Sequence, residues 1–415
     1  MAKVSSIERF YTTIGMLLHL LFVAGPLDIW YWISCKTKSV KGQTVVITGG
    51  ASGIGKRLSE LFAIELEAKV AILDIDKENA QTTVDKIVEC GGTAQSWKCD
   101  ISQPEEIEKC AKEIDNKFGN VDIVICNAAV LYIGRMLDFK TSDLQRSVNV
   151  NIMGTLNTIR AFLKSMEQRN EGQIVAISSI AGFCGETYGT AYCTTKFAIR
   201  GVMQCLEMEM KDRGLNGIRC TTVCPYFTRT PMIQKMKMRP TSTWLPYMSI
   251  ERCAREIIDA ILKEKILAFI PHYISIIAQL RGLLSERISN AGREYLNCRY
   301  EPLNDEELKI DQISITKKND YFEQLDDKVK YTTFAIYLLL VTGHFLMEGA
   351  VQHIIHAVIL FISISNILMA IFALHICDQL HFSFLCTFRW FMQIISFGFL
   401  SFIRLYLFQH LSISG

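Results

Sequence analysis

Apolar and polar positions change rhythm along this chain. Between residues 41 and 297, short runs rich in β-branched and apolar side chains alternate with longer amphipathic stretches. That alternation is the rhythm of strands joined by crossover helices. Seven runs read as strands: TVVITG (44–49), KVAILD (69–74), AQSWKCD (94–100), VDIVICNA (121–128), GQIVAISS (172–179), IRCTTVCP (218–225) and ILAFIP (266–271). Several are apolar at consecutive positions, as strands covered by helices on both faces must be. The pattern predicts an α/β fold, a doubly wound parallel sheet of about seven strands. Its ligand crevice would lie beyond the carboxyl ends of the strands.

Outside this middle the alternation stops. Residues 10–33 carry one formal charge, Asp28, over a length sufficient to cross a bilayer. Pro26, Asp28 and the aromatic group Trp30, Tyr31 and Trp32 follow the apolar stretch, an interfacial signature rather than a small-residue cleavage site. Residues 1–37 therefore read as a retained N-terminal membrane anchor, and Gly25-Pro26 permits either a span or a bent hairpin. Lys36, Lys38 and Lys41 come next, which places the main domain on the cytosolic side. Residues 299–330 are polar and densely charged, as a linker is. Residues 331–415 then hold four formal charges, Glu348, Asp378, Arg389 and Arg404. This hydrophobic tail offers two to three candidate membrane helices, near 332–347, 351–376 and 383–408. The plan is an anchor, an α/β domain over 38–298, a linker and an apolar helical tail.

Charge and cysteine usage narrow the partners. With 44 basic and 42 acidic residues, the chain lacks the broad basic surface that a nucleic-acid partner requires. Half of the residues are hydrophobic, an excess gathered at the two ends, so membrane lipid is the expected partner there. The fourteen cysteines are scattered without a C-x-x-C pair, which favours a reducing compartment over a disulfide framework. His353 and His356 alone among the histidines have a helical ligand spacing, and a packing role suits them better than a metal site. No metal is expected.

Candidate chemistry begins where the first strand runs into TGGASGIG, residues 48–55. Glycines at Gly49, Gly53 and Gly55 permit a tight turn, let backbone approach a pyrophosphate and place it on a helix N-terminus. Asp74 ends the second strand, where a carboxylate accepts hydrogen bonds from ribose hydroxyls and repels a 2′-phosphate. That favours NAD over NADP, with Lys56 and Lys77 as basic neighbours pulling the other way. Ser179 closes the fifth strand, thirteen residues before Tyr192, and Lys196 follows Tyr192 by one helical turn. Asn151 lies in the helical segment after the fourth strand. Taken singly, each is an ordinary cap, surface or helix residue. Together they converge on the crevice predicted for the dinucleotide.

This ensemble resembles the short-chain dehydrogenase/reductase family over roughly residues 38–290. The resemblance rests on TGGASGIG, Asp74, Asp100 in CDIS, CNAA at 126–129, NIMG at 151–154, SSIAG at 178–182, YCTTK at 192–196 and PYFTRT at 225–230. The N-terminal anchor and the ERCAREIIDAILKEKILAFIPHYI stretch are similar to its membrane and lipid-droplet branch, which holds retinol dehydrogenases and 17-beta-hydroxysteroid dehydrogenases of types 11 and 13.

The resemblance implies a Rossmann-type fold and a role for each matching residue. Tyr192 would be the general acid/base, and Lys196 would favour its phenolate and hold the nicotinamide ribose. Ser179 would hydrogen-bond the substrate oxygen, and Asn151 would hold a water linking Lys196 to solvent. Gly49, Ser52, Gly53, Ile54 and Gly55 would line the pyrophosphate. Asp100 would meet the adenine, Asn127 and Ala128 would flank the adenosine, and Thr228 would reach the nicotinamide amide. Two motif positions depart from the family: Ala129 replaces a glycine, and Tyr226 replaces the glycine after Pro225. The tail beyond about residue 330 departs from it as well.

The leading expectation is a membrane-associated enzyme that moves hydride between NAD and a lipophilic alcohol or ketone, such as a retinoid, a steroid or a fatty alcohol. It would reside on the endoplasmic reticulum membrane or lipid droplets with the catalytic domain facing the cytosol. The apolar segment 229–250, with Met232, Met236, Met238 and Trp244, reads equally as a substrate lid or an interfacial contact. Pairing into a homodimer fits the resemblance. Two alternatives stay open: a non-catalytic membrane scaffold that retains the fold, and an NADPH-dependent carbonyl reductase.

Overall fold

The computed structural model describes residues 12–16, 19–27, 37–234, 236, 238–240, 247–280, 284–295, 300–302, 350–379 and 384–397. Most of the anchor and linker, residues 331–349 of the tail, and Trp244 in the apolar 229–250 segment lie outside them. The chain divides into two compact units, Met1–Ile233 with Met248–Leu283, and Gln234–Tyr247 with Leu284–Gly415.

The first unit is built on seven parallel strands: β1 (Thr44–Thr48), β2 (Lys69–Asp74), β3 (Thr93–Lys98), β4 (Ile123–Cys126), β5 (Gly172–Ile177), β6 (Ile218–Pro225) and β7 (Leu267–Ile270). Their order is β3-β2-β1-β4-β5-β6-β7, so all seven predicted strands occur in one sheet. The order reverses direction between β1 and β4, which pair through Val45 with Ile123 and Ile47 with Ile125. A crevice opens at such a switch point, outside the carboxyl ends of the strands.

Strand side chains alternate between faces, and the two cores divide accordingly. Val45, Ile47, Val70, Ile72, Ile123 and Ile125 face one core, packed by α1 (Gly53–Glu60), α2 (Lys77–Glu89) and α7 (Ile250–Leu262). Val46, Ala71, Leu73, Val124 and Cys126 face the other, covered by α3 (Pro104–Phe118), α5 (Thr155–Arg169) and α6 (Thr190–Asp212). Each such aliphatic side chain taken fully from water contributes about 1.5–3 kcal/mol. Burial on both faces explains why the strands read as apolar runs.

Between β4 and α5 stands α4 (Thr141–Ser147), which continues through a widened π-type turn over Val148–Gly154 into α5. Widened turns frequently mark functional sites, and Asn151 sits in this one.

Ion pairs lock α1 against α7 and α2. Arg57 donates to Glu60 and Glu251, Lys86 donates to Glu60, and Arg255 donates to Glu65 and Glu251. Burial raises the buried Glu60 carboxyl, but Lys86 and Arg57 outweigh it and hold the group below its ordinary value. Arg57 lowers Glu251 and Arg255 lowers Glu65. Arg57→Met should cost about 1 kcal/mol at pH 7, because Glu60 keeps Lys86 and Glu251 keeps Arg255 but each loses a partner at a partly exposed site. Carboxyls depressed in the folded state stabilise it above their ordinary value of 4.5 and lose that contribution as pH falls. Urea unfolding of wild type and variant should therefore differ most at pH 7 and converge toward pH 4. An undiminished gap at pH 4 would count against this pairing.

The second unit contains an antiparallel pairing of Met238–Pro240 with Tyr300–Pro302, a helix over Glu286–Tyr295 and two long helices, Ala350–Gln379 and Phe384–Phe397. Where these two helices meet, Asn366, Ala370 and Ala373 are buried with Trp390, Gln393 and Ile394. The Asn366 amide donates to the Ile395 carbonyl at 3.4 Å. Leu360, Ile364, Leu368 and Ile371 are exposed. Counting only the described residues, no helix is long and apolar enough to cross a membrane.

Candidate active site

The glycine turn is shaped by what a side chain would strike. Gly49 has φ +67°, and a Cβ there would lie 2.8 Å from Ala128 Cα. At Gly55 a Cβ would collide with the Gly49 carbonyl oxygen and stand 2.5 Å from Asn127 Nδ2. The turn thus hugs β4 and brings bare backbone to the crevice. Ser52 N-caps α1 without a side-chain capping bond, in extended conformation. The first N–H groups of α1, from Gly53, Ile54 and Gly55, lack helical partners by geometry. A backbone cradle that side chains would fill, opening onto helix N–H donors, suits a pyrophosphate. Ile54 turns its own side chain into the core.

Asp74 couples to this turn directly. Its Oδ2 accepts from the Ala51 N–H at 2.9 Å and its Oδ1 from the Asp76 N–H at 3.0 Å. Each oxygen retains acceptor capacity for a ribose hydroxyl. Asp100 closes the turn after β3, its Oδ1 accepting from the Ser102 N–H and hydroxyl. Asn127 also braces the glycine turn. Its amide donates to the Thr48 and Gly49 carbonyls at 3.0 and 3.1 Å, while the Thr48 hydroxyl accepts from the N–H groups of Asn127 and Ala128. Asn127 therefore staples the glycine turn to β4, and Thr48 is a supporting residue that sequence reading missed.

Tyr192 and Lys196 lie on α6, the tyrosine in its first turn, where its N–H bonds the Gly189 carbonyl. The Lys196 ammonium is 5.4 Å from the centre of the Tyr192 ring and donates to the Ile177 carbonyl at the end of β5 at 2.7 Å. Lys196 is 4 % exposed, and burial brings its ammonium down to about 8. Burial holds the Tyr192 phenol above its ordinary value, and a hydrogen bond with the Ser179 hydroxyl offsets part of that rise. Ser179 follows β5, accepting from the Ala181 N–H at 3.1 Å. Its neighbour Ser178 donates to the Lys196 carbonyl at 2.9 Å. Serine, tyrosine and lysine are thus held together by α6 and the end of β5.

Asn151 is 1 % exposed. Its Oδ1 accepts from the Val130 N–H, and its Nδ2 donates to the Val130 carbonyl and the Thr195 hydroxyl. Thr195 in turn donates to the Tyr192 carbonyl at 2.7 Å. The amide so links the segment after β4 to the helix bearing Tyr192. Thr195 was invisible as a site residue because a buried threonine between the tyrosine and the lysine reads as packing. Thr228 is buried, its hydroxyl donating to the Tyr226 carbonyl at 3.0 Å. Thr230, also missed, stands against the glycine turn: a Cβ at Gly53 would meet its methyl at 3.4 Å.

Comparison with known proteins agrees with this geometry. A family model described as short chain dehydrogenase matches residues 43–240. The chain is 31% identical to 17-beta-hydroxysteroid dehydrogenase 13 of Homo sapiens over 280 residues, which is 68% of this chain and 92% of that protein. It is 33% identical to epidermal retinol dehydrogenase 2 of Mus musculus over 269 residues, 65% of this chain and 86% of that protein. A crystal structure of a short chain dehydrogenase/reductase from Burkholderia phymatum in complex with NAD shares the fold, with a TM-score of 0.54 and 22% identity over 59% of this chain and 94% of its own. With the glycine turn, the strand order and the serine–tyrosine–lysine cluster in one crevice, the chain belongs to the short-chain dehydrogenase family, an oxidoreductase that works with a nicotinamide dinucleotide on an alcohol or carbonyl carbon.

Proposed function

We propose that this protein is a membrane-held dehydrogenase that uses NAD to oxidise a lipophilic alcohol, or reduces the matching ketone in reverse. The observation that carries the reading is the placement of Tyr192, Lys196 and Ser179 at the end of β5. A nicotinamide dinucleotide held by the glycine turn would supply the acceptor for the hydride of the carbinol carbon. Tyr192, as phenolate, accepts the hydroxyl proton of the alcohol, so the carbonyl forms without a free alkoxide. Ser179 donates a hydrogen bond to the same oxygen as its charge changes. The Lys196 ammonium favours the phenolate by its charge and offers donors to ribose hydroxyls. Asn151 holds the helix through Thr195, and its carbonyl, which already accepts from Thr155, retains a lone pair for a water leading to Lys196.

Gly49, Ser52, Gly53, Ile54 and Gly55 would hold the pyrophosphate, with Asp100, Asn127 and Ala128 at the adenosine and Thr228 at the amide. Asp74 supports NAD over NADP, since a 2′-phosphate would face its carboxylate. The named substrates of the relatives, retinol and hydroxysteroids, are lipophilic and support that class. Membrane attachment is supported by the uncharged run 349–377 and by the helix pair that buries Asn366 and Gln393 while exposing leucine and isoleucine. Polar and small residues inside with large aliphatics outside is the arrangement helices adopt in lipid. The proposed location is the endoplasmic reticulum membrane or lipid droplets, with the first unit facing the cytosol.

Membranes bearing the protein should oxidise at least one member of a panel of retinol, steroid and long-chain alcohols with NAD. Asp74→Ser should shift the kcat/KM ratio toward NADP by about tenfold or more. No nucleotide-dependent turnover across the panel in either direction would sink the reading. Full extraction of the protein by alkaline carbonate would sink its membrane part.

A further inference from the structure

Arg200 lies one helical turn beyond Lys196 on α6, in the series Tyr192, Lys196, Arg200. Its guanidinium carbon lies 3.3 Å from the centre of the Phe183 ring, and its Nη1 donates to the Gly182 carbonyl at 2.8 Å. Phe183 packs in turn on Phe269 of β7, ring centres 4.7 Å apart. Among the described residues no carboxylate pairs with Arg200, although the side chain is half-buried and burial lowers its pKa. A partly desolvated cation without a counter-charge is costly, and a methionine would cover Phe183 without that cost. The guanidinium is therefore placed for its hydrogen bond to Gly182.

Gly182 closes the turn that Ser179 opens. Its N–H donates to the Ser179 carbonyl at 2.9 Å. The turn is tight against α6: a Cβ at Gly182 would lie 2.7 Å from both the Lys196 carbonyl oxygen and the Ser178 hydroxyl. Ser178 holds α6 at Lys196, and Arg200 holds the far end of the same turn one helical turn later. The turn that carries Ser179 is thereby tied to α6 at both ends, while the Ser179 hydroxyl itself donates to the Pro225 carbonyl at 3.4 Å.

Resting on the proposed acid/base reading, we infer that Arg200 is a positioning residue of the reaction: its stacked, forked guanidinium sets the Ser179 turn, and through it the Ser179 hydroxyl, relative to the Tyr192 oxygen. It touches neither substrate nor nucleotide. Ångström-scale displacement of a catalytic hydroxyl lowers turnover by up to about a hundredfold.

The test is a double-mutant cycle on the full-length protein in membranes, using an alcohol from the panel that the wild type turns over. Arg200→Met should lower kcat about 10- to 100-fold and leave the KM for NAD within about twofold. Its kcat–pH profile should move toward that of Ser179→Ala. In the double variant the losses should not multiply, because the arginine acts through the serine. Arg200→Lys keeps the charge without the flat fork, so it should lose kcat in the same way. It also serves the cycle if the methionine variant does not fold. Unchanged kcat in a folded variant, multiplying losses, or full activity of Arg200→Lys would each overturn the inference. Tyr192→Phe is run alongside. Turnover retained there defeats the acid/base reading itself, whereas turnover lost there with Arg200→Met unaffected defeats only the role of Arg200.

Discussion

Tyr192→Phe should reduce alcohol oxidation by about 10²–10⁴-fold while nucleotide affinity, followed by fluorescence titration, changes by no more than about twofold. The phenyl ring retains the packing on Lys196, 5.4 Å from its ammonium, so only the oxygen that exchanges the proton is removed. The same oxygen sets the pH dependence. Burial raises the phenol and the Ser179 hydroxyl lowers it. Oxidation needs the phenolate, so kcat should rise with pH, and reduction needs the phenol, so it should fall. Ser179→Ala removes the lowering influence and should carry the rising limb to higher pH. A rising limb that stays in place after that change would mean another group titrates.

Gly55→Ala should be the most damaging single methyl in the glycine turn. The added carbon has nowhere to go, since it meets the Gly49 carbonyl and the Asn127 amide that staples the turn. Both are held by β1 and β4, so relief requires parting α1 from the sheet. Overpacking of this kind costs about 1–3 kcal/mol or more, and here it also deforms the cradle. The expected result is a lower melting temperature together with at least a tenfold weaker response of that temperature to added NAD. A variant that melts lower but is stabilised by NAD as strongly as the wild type would separate the cradle from the ligand.

The sheet and the reacting groups were legible in the sequence for physical reasons. Strands buried on both faces leave unbroken apolar runs, and a turn that must admit bare backbone leaves glycines. Tyr192 and Lys196 share a helix face by spacing alone. What escaped notice depends on contacts between distant segments. Thr48 and Thr195 look like filler in a strand and a helix until their hydroxyls meet Asn127 and Asn151. The role of Asn127 as a staple, and the widened turn that carries Asn151, follow from how the segments after β4 pack. Arg200 reads as a surface cation until Phe183 and Gly182 come against it. Most of the expected anchor and most of the expected linker lie outside the described residues and belong with the proposal.

The pairing of β1 with β4 joins positions about 80 residues apart, whereas β2 and β3 join β1 through nearer neighbours. Loop-closure entropy makes such a distant ladder costly to close and slow to form. The two sides of the nucleotide crevice therefore belong to different halves of the sheet, β1 to β3 and β4 to β7. The cradle takes its shape only when Asn127 from the later half reaches the turn of the earlier one. A chain that cannot close that seam between β1 and β4 should therefore lose the nucleotide site as a whole, since the cradle has no shape without Asn127.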